Sequence, residues 1–310
     1  IYDITTDSRG RQWLATMDNG LVCIDHGRYS AIHYGRENKV RRIVLPDPNT
    51  LVAVTTEGLL TVDITPGHGN RWHLHRREPN RASSLSNNAC MDIAAMDGKW
   101  YVATESGGVN MTADRITAPS LTFRHYDRET GLGSDVILSV TPFSSASGPC
   151  LLAVTNKSLI IIDGRTGESR EFADTFFGQQ LSFSDARPLY IKAENKWVIG
   201  LNDGIAIIDG NIINADRRIF PIVLTSMTIE NSPTEYMVNR LNEIHLTPTE
   251  RTIDISFAVL DYRNATNIHY AYRVRGDADW HYLGNDNHIR LAELAPGDYQ
   301  LDLKATNAMG

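Results

Sequence analysis

Short apolar runs separated by polar turns recur along the first two thirds of the chain, and one pattern repeats five times. An apolar or aromatic residue is followed by two small or apolar residues, then Thr or Gly, a polar turn, Gly or Ser, and another apolar run. The copies are Trp13 to Thr16 leading to Gly20-Leu21, Leu51 to Thr55 leading to Gly58-Leu59, Tyr101 to Thr104 leading to Gly108-Val109, Leu152 to Thr155 leading to Ser158-Leu159, and Val198 to Gly200 leading to Gly204-Ile205. Four copies then reach an Asp, at Asp25, Asp63, Asp163 and Asp209; the third does not. The Thr/Gly anchors at 16, 55, 104, 155 and 200 lie 39 to 51 residues apart. Short strands with turns at that period match one four-stranded propeller blade per repeat. No amphipathic stretch with helical periodicity stands out, which excludes helical-pair and leucine-rich repeats.

Within each blade the innermost strand is the apolar run before the motif, such as Cys90 to Ala95 or Ile137 to Thr141. The second carries the Trp/Leu and Ala-Thr, the third follows the Gly, and the fourth is a segment such as Arg71 to Arg76 or Thr122 to Asp127. The first blade is expected to have lost its opening strand. Five blades suit part of a larger ring, which would leave blade faces and edges to be covered. The patterned start at Ile1 and the abrupt stop at Gly310 both read as cuts in a longer protein.

From about Phe220 the pattern changes. A run from Ile222 to Ile229 and the segment Ile244-His-Leu246 precede three alternations: Ile253, Ile255, Phe257 and Val259; Ile268, Tyr270, Tyr272 and Val274; and Tyr299, Leu301, Leu303 and Ala305. Period-two alternation buries one face of a strand and wets the other. Several such strands in one module predict an immunoglobulin-like β-sandwich. The expected architecture is therefore all-β, a partial β-propeller of about five four-stranded blades over residues 1–218 and a sandwich over residues 219–310.

Composition narrows the partners. The chain has 310 residues, 42% apolar and 22% charged, with a formal net charge of −7. No Lys/Arg-rich run breaks this balance, so nucleic acid and anionic membrane are disfavoured. The densest basic cluster, Arg71 to Arg81, contains Glu78 and reads as a solvated strand and loop. No apolar stretch approaches the length of a bilayer span. Cys23, Cys90 and Cys150 lack ligand spacing for zinc and read as small buried hydrophobes.

The segments Ile4 to Thr16, with Asp7, Gly10 and Trp13, and Met91 to Thr104, with Asp97, Gly98 and Trp100, resemble the two-component-regulator propeller repeat. The stretches Pro79 to Asn88 and Tyr126 to Ile137 resemble that family's inter-blade linkers. Phe257 to Tyr262, Tyr270 to Gly276, Asp279-Trp280, Leu294 to Tyr299 and Ala305 to Asn307 are similar to the triple-tyrosine domain. Ser158 in place of Gly, and the absence of the motif Trp from blades two and four, depart from the pattern. The resemblance implies the periplasmic sensor region of a Bacteroides-type hybrid two-component receptor. Such receptors detect carbohydrates or their breakdown products, dimerise through the triple-tyrosine module, and are anchored in the inner membrane ahead of a cytoplasmic histidine kinase.

The rival reading is a propeller-type glycosidase or lyase. The segment Thr5 to Trp13 approaches the Asp-box of sialidases, but Asp7 and Gly10 are one residue too far apart, and such boxes are structural turns. Glycoside hydrolysis needs two carboxylates at a set separation, and no pair stands out. His73 and His75 share a strand face, without a third metal ligand nearby. No catalytic residue, metal site or cofactor is expected. The tyrosines Tyr262, Tyr270, Tyr272 and Tyr299 are expected to fill the sandwich core, and Trp280 to pack at a strand end. Ligand would bind on the rim formed by loops entering innermost strands and loops between second and third strands. That rim would carry Asp18, Asn19, Asn87, Asn88, Glu105, Ser106, Asp135, Asn156, Lys157, Asn202 and Asp203, polar groups suited to sugar hydroxyls.

Overall fold

The structure, a computed structural model, describes residues 1–145, 148–177, 180–213, 221–233, 243–260, 268–275 and 279–306. The chain divides into two compact units, Ile1–Asp216 and Arg217–Gly310.

The first unit is a row of antiparallel sheets, each a meander of neighbouring strands. Blade 1 comprises β1 (Asp3–Thr6), β2 (Gln12–Ala15), β3 (Leu21–Asp25) and β4 (Arg28–Ile32), so its opening strand is present, short and half-exposed, where the sequence had suggested its loss. Blade 2 comprises β5 (Val40–Asp47), β6 (Thr50–Thr55), β7 (Gly58–Asp63) and β8 (Trp72–His75). Blade 3 comprises β9 (Cys90–Met96), β10 (Lys99–Thr104), β11 (Val109–Thr112) and β12 (Arg124–Tyr126). Blade 4 comprises β13 (Ser139–Ser145), β14 (Gly148–Val154), β15 (Ser158–Asp163) and β16 (Ser169–Ala173). Blade 5 shows three strands among the described residues, β17 (Leu189–Ile191), β18 (Lys196–Gly200) and β19 (Ile205–Asp209). The first strands of blades 1 to 4 lie side by side along the inner edge.

Each interior blade is apolar on both faces because a neighbour covers each one. Trp13, Ala15, Leu21 and Cys23 of blade 1 pack on Ile43, Leu51, Ala53, Leu60 and Val62 of blade 2. The opposite face of blade 2, Val52, Val54 and Leu59, packs on Ile93 and Val102 of blade 3. This two-sided burial explains why β6, β7 and β15 read as near-continuous apolar runs rather than alternations.

The repeated turn is held by its Thr. In blades 1 to 4 the Thr16, Thr55, Thr104 and Thr155 hydroxyls donate to the carbonyls of Gly20, Gly58, Gly108 and Ser158 at 2.7 to 3.1 Å. The same oxygens accept a backbone N–H from inside the loop, at Asn19, Glu57, Gly107 and Lys157. Gly108 has φ of +66°, and a Cβ there would lie 1.9 Å from the Tyr126 carbonyl oxygen. In blade 4, Ser158 instead bonds its hydroxyl to Thr155 at 2.9 Å. The Asp that ends the third strand caps the next turn. Asp63, Asp163 and Asp209 accept the amide two residues on, from Thr65, Arg165 and Asn211. In the third blade Thr112 does the same for Asp114 at 3.1 Å, which explains how that repeat dispenses with its Asp.

The fifth copy departs from the sequence reading. Leu201, not Gly200, occupies the anchor position, its N–H donating to the Gly204 carbonyl at 2.9 Å. Gly200 is small for another reason. A Cβ there would meet Ser184 Oγ at 2.4 Å and Ala186 Cβ at 2.9 Å, because the segment before β17 folds against it.

The second unit is a two-layer sandwich. One sheet has the order β21 (Ser232–Pro233), β20 (Ile222–Ile229), β22 (Ile253–Val259), β25 (His288–Leu291); the other has the order β24 (His281–Gly284), β23 (His269–Val274), β26 (Leu301–Thr306). Ile253, Ile255 and Phe257 face inward with Met227 and Ile289, against Ile268 and Tyr270. Tyr270 sets its ring edge on Phe257 and accepts the Val259 N–H. Tyr272 is half-buried and stacks on His281. Tyr299 is a correction: it is 49% exposed, and its hydroxyl donates to the Ala295 carbonyl, closing the preceding turn instead of filling the core. Tyr262 lies outside the described residues. Ile244 and Leu246 pack on this core from an irregular segment, not a strand. Trp280 lies beneath Lys304 Nζ, 4.2 Å from its ring centre, with Arg273 4.9 Å away.

Two outcomes follow. Replacing Gly108 by Ala should cost about 2 kcal/mol or more through the unfavourable φ and the carbonyl clash, read as a lowered urea midpoint. His75 is buried with Nε2 unpartnered, and burial, with the charges of His73 and Arg81, lowers its pKa from 6.5 to about 4. Between those values the unfolded chain binds a proton that the folded protein does not, so stability should fall as the pH drops from 6.5 toward 4. His75→Leu should flatten that part of the urea-midpoint profile.

Candidate functional site

The expected rim exists as a geometric feature. Each loop between second and third strands is hydrogen-bonded to a linker that enters an innermost strand. Gly20 N–H donates to Asn38 O, Thr56 to Lys39 O, Glu105 to Ala89 O, Gly108 to Asp135 O, Phe183 to Asn156 O, and Asn202 to Ser182 O, all at 2.8 to 3.2 Å. The five repeats therefore deliver their polar loops to one edge of the blades.

The sequence-selected side chains fall into two groups. Asn87 donates to Ser106 Oγ at 2.7 Å and accepts the Ala89 amide at 2.8 Å. Asn88 accepts the Arg77 amide, Asp135 accepts the Arg128 amide, and Asn202 donates to Ser182 Oγ. Asn87, Asn88 and Asp135 thus hold backbone amides of the rim, and Asn202 ties its loop to a side chain of the neighbouring segment. Asp18, Asn19, Glu105, Asn156, Lys157 and Asp203 are exposed, as are Asn88 and Asn202 of the first group.

At the same end of the innermost strands lies an ion cluster that the sequence reading missed. Asp3, Arg42, Asp92 and Ser139 occupy equivalent positions, each paired with the residue before its blade's anchor: Ala15, Val54, Ala103 and Val154. Asp3 accepts its neighbour's amide at Ile4 and the Ile43 amide of the next blade. Asp92 repeats this with Ile93 and with Val140 of blade 4, at 2.9 and 3.0 Å. One carboxylate thus ties β1 to β5, and another ties β9 to β13.

Asp92 is fully buried and also takes both Nε and Nη2 of Arg187, while Arg42 Nε lies 3.5 Å away. Arg187 comes from a break in blade 5. Phe183 bridges to Leu201, but pairing resumes only at Leu189 with Val198, so five residues on this side, 184–188, face two on the partner, Ile199 and Gly200, and the excess swells out of the sheet edge. That swelling reaches three other blades. Arg42 donates to the Asp185 carbonyl, Arg187 to Asp92 and the Ile93 carbonyl, and Ser139 to the Ala186 carbonyl. Burial works against the charge of Arg187, but the bonds and charge of Asp92, with Asp3, outweigh it and raise its pKa.

The near-Asp-box is a turn lock. Asp7 accepts the Arg9 and Arg11 amides, Arg11 Nε and the Trp13 indole N–H. Burial pushes its carboxyl up, but the bonds from Trp13, Arg9 and Arg11 outweigh that and hold it below the usual range. His73 and His75 sit edge to face, 4.5 Å apart. Cys23, Cys90 and Cys150 are buried and unpaired, and burial pushes the Cys90 thiol up to about 12. Among the described residues, no group of three or more His, Cys, Asp or Glu side chains could hold a metal.

Blades, rim and sandwich define the class: an all-β chain of propeller blades followed by a two-layer module. Residues 261–310 match the Y_Y_Y domain. No curated protein matches the chain. Similar solved structures include the extracellular domain of a hybrid two component system from B. thetaiotaomicron, 17% identical with a TM-score of 0.45, covering 98% of this chain and 47% of that one. Another extracellular domain from the same organism is 15% identical, with a TM-score of 0.39 and coverage of 98% and 54%. A catalytically inactive virginiamycin B lyase from Staphylococcus aureus is 14% identical, with a TM-score of 0.48 and coverage of 66% and 64%. The chain spans about half the length of the two extracellular domains.

Arg187→Met should strand the buried Asp92 carboxylate and cost about 3 kcal/mol in urea unfolding. Adding Asp92→Leu to that variant should recover part of the loss, and simple additivity of the two changes would contradict the pairing.

Proposed function

We propose that this chain is the extracytoplasmic, periplasmic sensing portion of a hybrid two-component receptor, with carbohydrate or its breakdown products as ligand. The observation that carries this reading is the Y_Y_Y match at residues 261–310, placed after a series of propeller blades. The parent receptor is held in the inner membrane ahead of a histidine kinase, and the chain dimerises through its sandwich. Recognition falls to the exposed rim side chains Asp18, Asn19, Glu105, Asn156, Lys157 and Asp203, which offer donors and acceptors to sugar hydroxyls. Asn87, Asn88 and Asp135 support them by holding loop amides, and Asn202 by its bond to Ser182. Signalling requires that ligand favour one arrangement of the dimer over another.

Asp7 and Asp92 each accept several hydrogen bonds from N–H groups of their own fold, which gives both a structural role.

A thermal-shift screen against mono- and oligosaccharides tests the reading. A specific ligand at a hundredfold excess over its Kd should stabilise the protein by about 2.7 kcal/mol. The double variant Asn156→Ala, Lys157→Ala should lose that shift while keeping its ligand-free melting temperature. A shift that survives this change removes the rim as the site, and polysaccharide turnover would replace sensing by catalysis.

A further inference from the structure

The outward face of the β24-β23-β26 sheet carries aromatic and cationic side chains that the sandwich core does not use. Tyr270 and Tyr272 of β23 turn inward with Leu301, Leu303 and Ala305 of β26. The alternate residues Ala271, Arg273, Asp302 and Lys304 therefore stand on the opposite face. Tyr282 of β24 joins them, paired with Ala271, and is 78% exposed. Trp280, two residues earlier, is half-buried.

Lys304 organises this face. It stands on β26, yet its Nζ lies 4.2 Å from the ring centre of Trp280 and 5.1 Å from that of Tyr282, on the far side of β23. Its stem therefore crosses β23 over its pairing partner Ala271, whose methyl side chain leaves room for it and is 2% exposed. Arg273 is committed elsewhere, with its Nη2 2.9 Å from Asp302. Arg275, next along the face, donates to Gln300 at 3.1 Å. Among the described residues Lys304 Nζ makes no hydrogen bond or ion pair, so an ammonium with three donors is held at two aromatic rings without a counter-charge. These rows set Arg273, Arg275 and Lys304 against the single carboxylate of Asp302.

We propose that this face binds an acidic saccharide, a sugar ring bearing a carboxylate or sulfate. Tyr282 offers a flat apolar surface to the C–H side of the ring, and Lys304 pairs with the anionic group. A neutral sugar would leave the excess positive charge unmatched. One exposed ring suits one sugar residue and is far smaller than a stable protein interface. The inference takes the saccharide class from the function proposed above, and its position and charge preference from this face alone.

Calorimetric titration of this chain at low ionic strength tests it, with glucuronate, galacturonate and glucose 6-sulfate against glucose and galactose. An acidic sugar should bind about tenfold more tightly than its neutral counterpart. Lys304→Met keeps the stem over Ala271 and should abolish that preference, with Lys304→Gln as the second variant if the first fails to fold. Tyr282→Ala should weaken binding of the acidic sugars, and the rim double variant Asn156→Ala, Lys157→Ala should leave it unchanged. Equal binding of acidic and neutral sugars, or binding of neither, overturns the proposal. A preference that survives Lys304→Met but is lost in the rim variant also overturns it, moving charge recognition to the rim while the saccharide reading stands. Self-association of the ligand-free chain that disappears in Tyr282→Ala overturns it as well, by assigning the face to a second copy.

Discussion

A propeller blade is a sheet with two apolar faces, and neither face can be left in water. That single constraint organises the first unit. It explains why β6, β7 and β15 are almost wholly buried and why Trp13 and Trp197 have no exposed surface. Stability in such a row comes mainly from contacts between neighbours rather than within a blade. The polar features are subordinate to it: Thr-anchored turns and Asp or Thr caps close the hairpins within a blade, and Asp3 and Asp92 join neighbouring blades.

Much of this was legible in the sequence because it repeats. A Thr followed by a polar turn and Gly or Ser closes a tight hairpin, and four copies do so with the Thr hydroxyl donating to the carbonyl of that Gly or Ser. The alternation at Ile253, Ile255 and Phe257 likewise described a half-buried strand correctly. The fifth anchor was misplaced by one residue because Gly200 resembles a turn glycine, whereas its smallness accommodates Ser184 and Ala186. Tyr299 was misassigned because alternation was extended past the start of β26 at Leu301.

The ion cluster was invisible for a different reason. Arg42, Asp92 and Arg187 share no local motif, and Arg187 belongs to a loop. What relates three of the positions is register: Asp3, Arg42 and Asp92 each stand across from the residue before a Thr anchor. That signal becomes usable only after the strands are paired. The rim residues show the converse case. Their types were easy to pick out, but Asn87, Asn88 and Asp135 hold backbone amides and Asn202 a neighbouring hydroxyl, and composition alone does not separate such residues from Asn156 and Lys157.

The swelling at residues 184–188 has a mechanical corollary. It grips blades 2, 3 and 4 through Arg42, Asp92 and Ser139 while springing from blade 5. Flexing between the second and fourth blades would have to stretch an ion pair whose carboxylate is sealed from water. The middle of the row consequently behaves as a stiff plate, and its compliance is left to the margins.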